Sequence, residues 1–220
     1  MGAAGNSIKP NLTDSPGDPT VARYSIVVPV FNEAAVIGQF CRRARAELPA
    51  DYELLICYDF DEDDTIPALQ SLPTEQQPAG LRLIRNDLGR GGRYANEAGM
   101  TAATASVVVV TMADLSDDWS RVLQMIELIE SGADVVSASR YMKGGRQIGG
   151  PLFKRILSQT AGVTLYWIAG IPTRDPTNSY RAYSKSFLDE VQIESTAGFS
   201  LGGDRRVKRT HFGAENGPTW

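Results

Sequence analysis

A short acidic segment, Met-Ala-Asp-Leu-Ser-Asp-Asp at residues 112–118, directly follows the most apolar run of the chain. Carboxylates that end a strand and face an open cleft can hold Mg²⁺ or Mn²⁺ through hard oxygen ligands. Such a cation neutralises a diphosphate and stabilises it as a leaving group. The alternative role is structural, because Ser116 or Asp117 could cap a helix that begins near Trp119. The segment therefore predicts a cation site, a helix cap, or both.

A second acidic segment, residues 59–64, carries five carboxylates in six positions. Like charges this close repel one another, so a purely structural turn rarely needs so many of them. A cation, or a nucleobase that presents N–H groups, would explain Asp59. We expect the other four carboxylates of the segment to be solvated.

Basic residues mark two further regions. Residues 86–96 are rich in glycine and predict a phosphate-binding loop that leads into a helix N-terminus, with Arg90 and Arg93 adding positive charge. This loop does not follow the first strand, so it is not the dinucleotide fingerprint. Further along the chain, side chains suited to phosphate oxygens alternate with apolar residues. They are Arg140, Lys154, Arg155, Arg174 and Arg181.

The apolar pattern predicts the elements that must position these segments. Strand patterns cover residues 24–30, 52–58, 81–84, 106–111 and 133–137, and helical patterns cover residues 34–47, 66–72, 91–104 and 119–131. This alternation predicts an α/β fold with a mostly parallel sheet and helices on both faces. Such sheets bind ligands outside the carboxyl ends of their strands. We therefore expect Asn32, Glu33, Asp59 and Asp114 to share one edge.

The composition is that of one globular domain. The chain has 220 residues, of which 42% are hydrophobic and 22% charged. Cys41 and Cys57 lie in apolar surroundings and predict reduced core thiols in a reducing compartment. The single histidine, His211, argues against a histidine zinc site and against a Ser-His-Asp triad. Residues 1–22 predict a disordered segment that precedes a single domain over residues 23–220.

Charge is distributed unevenly. Residues 1–139 carry 20 acidic and 10 basic side chains, whereas residues 140–220 carry 6 acidic and 12 basic ones. The acidic half suits a cation and the basic half suits a phosphate-bearing partner or an anionic membrane, although ordinary solvated faces explain the asymmetry equally well. The apolar stretch 156–171 is too short to span a bilayer. It predicts a core helix, an interfacial helix or a homodimer contact.

No signal peptide or membrane-spanning run is visible in the sequence. We therefore expect a cytoplasmic protein, or a peripheral one at the inner face of the membrane. We expect no nucleic-acid partner.

Six segments, taken in order, resemble motifs of the family-2 glycosyltransferases with the GT-A fold. Within that family the chain is most similar to dolichol-phosphate mannosyltransferases and bacterial polyprenyl-phosphate sugar transferases. The matching segments are residues 25–33 (Ser-Ile-Val-Val-Pro-Val-Phe-Asn-Glu), 59–65, 86–99, 113–117, 137–141 and 174–183 (Arg-Asp-Pro-Thr-Asn-Ser-Tyr-Arg-Ala-Tyr). The resemblance implies a Rossmann-like GT-A fold, with a nucleotide-sugar half over residues 23–139 and an acceptor half over residues 140–220.

The resemblance also implies roles for individual residues. A nucleoside-diphosphate sugar would be bound by Pro29, Val30, Asn32, Glu33, Asp59, Arg90, Ala113 and Asp114. A metal ion, Mg²⁺ or Mn²⁺, would be held by Asp114, with Ser116 and Asp117 nearby. A polyprenyl phosphate acceptor would be bound by Arg140, Lys154, Arg155, Ser158 and Arg181. The implied reaction is sugar transfer with inversion at the anomeric carbon, in which Asp114 and Arg140 are catalytic.

The acceptor remains open at this point. A lipid phosphate is already an anion and needs only to be positioned, whereas a hydroxyl acceptor needs a carboxylate to take its proton. Asp175 is one candidate for that base and Asp204 is another.

Two positions depart from the family pattern. Met112 stands where the metal-binding motif usually has its first acid, and Tyr58 stands where the second motif usually begins with Asp. Met112 keeps open a non-catalytic relative that only binds nucleotide sugars. A nucleotidyltransferase is disfavoured, because Phe-Asn-Glu follows the first strand where that class has a basic, glycine-rich loop.

Overall fold

The computed structural model describes residues 22–138 and 178–190 of the chain. The strands are β1 (Tyr24–Pro29), β2 (Tyr52–Tyr58), β3 (Leu81–Arg85), β4 (Val107–Val110), β5 (Val135–Ser137) and β6 (Arg181–Ser184). The helices are α1 (Ala34–Glu47), α2 (Thr65–Gln70), α3 (Gly92–Ala102), α4 (Val122–Glu130) and α5 (Lys185–Glu190), with 3₁₀ turns at Thr74–Gln76 and Trp119–Arg121. The elements from β1 to β5 follow the predicted order, with ends that differ by up to three residues.

The six strands form one sheet in the spatial order β3-β2-β1-β4-β6-β5. Strand β1 pairs in parallel with β2 and with β4, and β2 pairs in parallel with β3. The chain therefore winds from β1 to β3 in one direction, and β4 lies on the opposite side of β1. The predicted mostly parallel sheet is confirmed. The reversal beside β1 is the topological switch point at which sheets of this kind bind ligands.

Strand β6 was not predicted from the sequence. It is antiparallel to both of its neighbours and lies between β4 and β5, so that Arg181 is opposite Val110 on one side and Ser137 on the other. Its four residues, Arg-Ala-Tyr-Ser, are too few to show a strand periodicity. Pairing with two strands that are distant in sequence stabilises β6. A local pattern of residues does not show such pairing.

Helices cover both faces of the sheet, as predicted. Successive side chains of a strand point to opposite faces. Ile26 and Val28 of β1 belong to the larger hydrophobic cluster, which includes residues of α1 and α4. Val27 belongs to the second cluster, which includes residues of α3 and Phe187 of α5. Burial on both faces explains why the central strands are apolar over most of their length.

Helix α1 is amphipathic as predicted, and its buried residues follow the spacing of one helical face. They are Ile37, Phe40, Cys41 and Ala44. Cys41 and Cys57 are both free and buried. Burial raises the pKa of the Cys41 thiol to about 11 and that of Cys57 to about 12. The prediction of reduced core thiols is confirmed.

The structure corrects the predicted cap of the helix after the acidic loop. A 3₁₀ turn at Trp119–Arg121 precedes α4, and Asp118 caps it by accepting a hydrogen bond from the Ser120 N–H at 3.1 Å. The prediction that Ser116 or Asp117 caps this helix is therefore wrong. Asp117 instead bonds back to the end of β4, which leaves the next residue to cap.

Some predictions lie outside the described residues. These are the disordered segment, apart from residue 22, and the apolar stretch 156–171. Across residues 22–138 and 178–190, none of the helices combines the length and the apolar character needed to cross a bilayer.

Candidate functional site

Three loops meet at the carboxyl ends of β1, β2 and β4, beside the switch point of the sheet. They comprise residues 30–33, 59–64 and 111–118. Hydrogen bonds join the first loop to the second, and the Glu33 carboxyl of the first loop feels the charge of Asp114 in the third. The predicted gathering of polar and acidic residues at one edge of the sheet is observed.

The loop after β2 caps helix α1. The backbone N–H groups that precede and begin α1 each donate to a side chain of the second loop or of the start of α2. The pairs are Asn32 with Asp63 (3.2 Å), Glu33 with the Thr65 hydroxyl (2.8 Å) and Ala34 with Asp64 (3.1 Å). These three N–H groups therefore have acceptors within the protein and need none from a ligand. The first two loops are therefore fixed relative to each other.

Asp63 corrects one expectation. Its side chain is fully buried, whereas we expected every acid of the segment except Asp59 to be solvated. The carboxylate accepts hydrogen bonds from the N–H groups of Asn32 and Thr65, and these bonds offset the cost of burying it. Asn32 has a φ of 55°, a left-handed conformation that asparagine tolerates better than most residues.

Asp59 is half-buried and bonds to the glycine-rich loop. Its carboxylate accepts from the side-chain amide of Asn86 at 2.7 Å and from the N–H of Gly91 at 2.5 Å. Gly91 is the N-cap of α3, so a carboxylate of this chain already lies at the helix N-terminus where we predicted a phosphate. Arg90, in the same loop, is exposed.

Asp114 is an exposed carboxylate at the tip of the third loop. One of its oxygens accepts from the Ser116 N–H at 3.0 Å, and Leu115 between them has a φ of 63°. Burial, together with the charges of Asp114 and Asp63, raises the pKa of the Glu33 carboxyl. Glu33 and Asp114 are therefore close enough to repel each other, and a cation near them would relieve that repulsion.

Asp117 has a different environment from Asp114. It accepts hydrogen bonds from the Thr111 hydroxyl at 2.6 Å and from the Met112 N–H at 3.2 Å. Burial raises the pKa of Asp117, and the hydrogen bonds from Thr111 and Met112 act against that rise. Its carboxylate thus holds the loop together, while Asp114 projects to solvent.

These residues fit a cation that is shared with a substrate. Within residues 22–138 and 178–190, no group of three or more His, Cys, Asp or Glu side chains is arranged to hold a metal ion. Mg²⁺ commonly binds through one or two carboxylates and the phosphates of its substrate, so a single exposed carboxylate such as that of Asp114 is compatible with a shared cation. Met112 supplies no oxygen ligand from its side chain.

The remaining predicted donor-binding residues lie at or just after the carboxyl ends of β1 and β4. Pro29 ends β1, Val30 directly follows that strand, and Ala113 lies in the loop after β4; all three are buried. The Val30 N–H donates to the Cys57 carbonyl at 2.9 Å, which joins the ends of β1 and β2. None of the three therefore presents an exposed side chain to a ligand.

An aromatic pair at this edge was missed in the sequence. Phe31 is 66% exposed, and its ring meets that of Phe60 edge to face, with centroids 5.5 Å apart. Each phenylalanine follows a strand within two residues and adjoins a predicted ligand-binding residue, Asn32 or Asp59. A large apolar residue in a polar loop was the available signal.

Most of the predicted acceptor site lies outside the described residues. Arg140, Lys154, Arg155, Ser158 and the candidate bases Asp175 and Asp204 all belong to that group. Arg181 is described: it starts β6 beside the carboxyl end of β4, and it is 4% exposed.

The chain resembles known proteins in sequence. A family model for glycosyl transferase family 2 matches residues 25–192. A dolichol-phosphate mannosyltransferase of Pyrococcus furiosus is 26% identical over 81% of this chain and 51% of its own length. An uncharacterized glycosyltransferase of Bacillus subtilis is 32% identical over 77% of this chain and 52% of its own length. The chain thus spans about half the length of these curated relatives.

Solved structures share the fold. Glucosyl-3-phosphoglycerate synthase from Mycobacterium tuberculosis, in complex with Mn²⁺, uridine diphosphate and glucosyl-3-phosphoglycerate, superposes with a TM-score of 0.54 at 17% identity, covering 75% of this chain and 57% of that chain. A mannosyltransferase from Pyrobaculum calidifontis, in complex with GDP-Man and Mn²⁺, gives 0.52 at 19% identity, covering 78% and 47%. The α/β architecture is that of the GT-A glycosyltransferases.

Proposed function

Because the chain belongs to glycosyl transferase family 2, we propose that it transfers a sugar from a nucleoside-diphosphate sugar to a polyprenyl phosphate. The observation that carries this proposal is the meeting of Glu33, Asp59 and Asp114 at the switch point of the sheet. Relatives named for dolichol, polyprenol and undecaprenyl phosphate support the choice of acceptor.

The nucleoside binds across the loops after β1 and β2. Asp59 is half-buried there and would offer its carboxylate oxygens to the N–H groups of a base, while Glu33 would accept a hydrogen bond from a ribose hydroxyl. The exposed ring of Phe31 provides a flat apolar surface for the base, because aromatic side chains stack on the π-face of any nucleobase. This arrangement orients the donor without fixing which base it carries.

The diphosphate lies near the loop after β4. Asp114 would hold the Mg²⁺ or Mn²⁺ ion, with the diphosphate supplying further oxygen ligands, and Ser116 lies beside it. A cation held there would supply positive charge against the negative charge that develops on the departing nucleoside diphosphate. Arg90, exposed at the glycine-rich loop, adds positive charge for the same phosphates.

The reaction needs no general base when the acceptor is a phosphate. A phosphate oxygen of the lipid attacks the anomeric carbon, and the bond from that carbon to the diphosphate oxygen breaks, so the leaving group takes the electron pair. No proton moves in this step. Arg140, Lys154, Arg155, Ser158 and Arg181 are the proposed acceptor-binding residues. They would hold the lipid phosphate in line with the bond between the anomeric carbon and the departing diphosphate.

The lipid acceptor places the reaction at a membrane surface. We propose that the chain acts there as a peripheral protein on the cytoplasmic side. The excess of basic residues over residues 140–220 supports this, because basic surfaces are attracted to anionic lipid.

A transfer assay tests the function. Purified protein is incubated with Mn²⁺, a panel of labelled nucleoside-diphosphate sugars, and either a polyprenyl phosphate or the matching polyprenol in detergent. We expect label to appear in the lipid with one of the donors, and only when the acceptor is the polyprenyl phosphate. We expect Asp175→Asn to retain this activity. Transfer to the polyprenol that is lost in Asp175→Asn would instead indicate a hydroxyl acceptor. Absence of transfer to both lipids, with every donor, would overturn the proposal.

A further inference from the structure

The guanidinium of Arg43 joins helix α1 to the loop that carries Asp114. One terminal nitrogen donates to the Leu115 carbonyl at 2.9 Å, and the other donates to the Asp117 carbonyl at 3.0 Å. These two carbonyls belong to residues on either side of Ser116. A planar group with two parallel donors therefore holds the loop immediately after Asp114.

The guanidinium is itself held in place from two other directions. Its Nε donates to Glu47, one turn further along α1, at 2.9 Å. Its central carbon lies 4.6 Å from the centroid of the Trp119 ring, a cation–π contact. The Trp119 ring packs edge to face on Phe40 of α1 at 5.0 Å. Arg43 thus has a fixed position against which the loop is aligned.

The loop needs such support because its shape is strained. Leu115 has a φ of 63°, which is unfavourable for a branched side chain. The carbonyl of this same residue receives one of the two hydrogen bonds from Arg43. The Asp117 carboxylate holds the start of the loop through Met112 and Thr111. Arg43 holds its end.

We propose that Arg43 is a positioning residue that keeps Asp114 in the geometry needed to receive a metal-bound diphosphate. The inference rests on the proposed function. Arg43 does not touch the substrate; it acts through the loop. Residues that orient a metal ligand usually affect metal affinity by ten- to hundredfold when they are changed.

The test compares two lysine substitutions on the same helix. Arg43→Lys keeps the charge but replaces the fork with one nitrogen, which cannot bond both carbonyls in the same plane. Arg42→Lys is the matched control, because Arg42 is exposed and donates to Gln76 at 3.4 Å, away from the loop. Arg43→Gln, which retains a single amide donor group, is the second variant. Unfolding curves establish that each variant is folded.

Two measurements separate positioning from general destabilisation. Calorimetric titration gives the Kd of the nucleoside diphosphate that wild type binds, with Mn²⁺ and with EDTA. We expect Arg43→Lys to raise the Kd with Mn²⁺ by about tenfold or more and to leave the Kd in EDTA unchanged. Hydrogen exchange in the ligand-free protein gives the protection of the Met112 and Ser116 amides. We expect Arg43→Lys to speed their exchange by about tenfold.

The outcomes separate the role of Arg43 from the proposed sugar-transfer function. If wild type binds nucleotide more tightly with Mn²⁺, and Arg43→Lys and Arg43→Gln keep the same gain as Arg42→Lys, then the role of Arg43 is overturned and the function stands. If wild type binds no nucleoside diphosphate, both are overturned. If nucleotide affinity with Mn²⁺ falls in the Arg43 variants only, the role of Arg43 and the proposed function are both supported.

Discussion

The carboxylate of Asp117 accepts a 2.6 Å hydrogen bond from the hydroxyl of Thr111, which ties the acidic loop back to the end of β4. Asp114, three residues earlier, is exposed and bonds only within its own turn among the described residues. Two aspartates of one loop therefore have separate tasks: Asp117 maintains the fold of the loop, and Asp114 is available to a ligand.

Alanine substitutions should separate these two tasks. Asp117→Ala leaves the Met112 N–H and the Thr111 hydroxyl without their acceptor, and we expect it to lower the free energy of unfolding by about 2–4 kcal/mol. Asp114→Ala removes an exposed side chain, and we expect a loss below about 1 kcal/mol. Urea denaturation of both variants measures this. Equal losses of stability would contradict the division of tasks.

Met112→Asp should strengthen metal binding. The substitution adds a carboxylate at the position where the metal-binding motif of the family usually has its first acid. Two carboxylates bind Mg²⁺ or Mn²⁺ more tightly than one. We expect the Kd of Mn²⁺, measured with saturating nucleotide, to fall by about tenfold. Met112→Asn is the uncharged control of the same shape. The same Kd in the two variants would show that position 112 does not face the ion.

Gly99 should be intolerant of a side chain. A Cβ there would lie 2.5 Å from the Cys57 sulfur and 2.5 Å from a Val27 methyl, so α3 would have to move away from the sheet. We expect Gly99→Ala to cost about 1–3 kcal/mol of unfolding free energy. Gly38→Ala in α1 is the control, since its Cβ would meet Leu72 at 3.4 Å. Helix propensity predicts a gain of about 0.5–1 kcal/mol there, and thermal unfolding of both variants measures the difference.

Stability should fall in acid because of Glu53. Burial alone would raise the pKa of this carboxyl, but hydrogen bonds from Ser25, Thr104 and Arg82 outweigh it and lower the pKa to about 2. The unfolded chain therefore binds the proton more readily, and the stabilisation is lost as pH falls from about 4 toward 2. We expect Glu53→Gln to be less stable at pH 7 by about 2–3 kcal/mol and to lack this acid dependence.

Urea denaturation between pH 3 and pH 7 measures the effect of Glu53. The exposed Glu62→Gln is the control and should follow the wild-type profile within about 0.5 kcal/mol. A Glu53→Gln profile parallel to wild type would show that another group causes the acid sensitivity.

Local patterns were sufficient for much of the fold. The spacing of Val36, Ile37, Phe40 and Cys41 predicted α1 with its observed ends, and the apolar runs predicted β1 and β2. In each case the pattern of apolar residues is complete within one short window of the sequence. The alternation of strands and helices then predicted the mostly parallel sheet, and with it the shared edge that carries Glu33 and Asp114.

Contacts between distant segments could not be predicted in the same way. Asp63 was expected to be solvated, yet N–H groups of the loop after β1 require its carboxylate. Strand β6 depends on pairing with β4 and β5 on both sides. The cap of the turn after the acidic loop moved to Asp118, because Asp117 found a partner in Thr111. Each outcome depends on a group more than four residues away.

Nucleotide binding shows directly whether the edge of the sheet that carries Asp114 is a nucleotide-sugar site. Thermal unfolding is followed with UDP, GDP, dTDP and CDP, each with Mn²⁺ and with EDTA, in wild type and in Asp114→Asn. Ligand at 100 times its Kd adds about 2.7 kcal/mol, which raises Tm by roughly 5–10 °C for a chain of this size. We predict that shift for one nucleotide with Mn²⁺, and its loss both in EDTA and in Asp114→Asn. No shift with any of the four nucleotides would contradict a nucleotide-sugar site at this edge of the sheet.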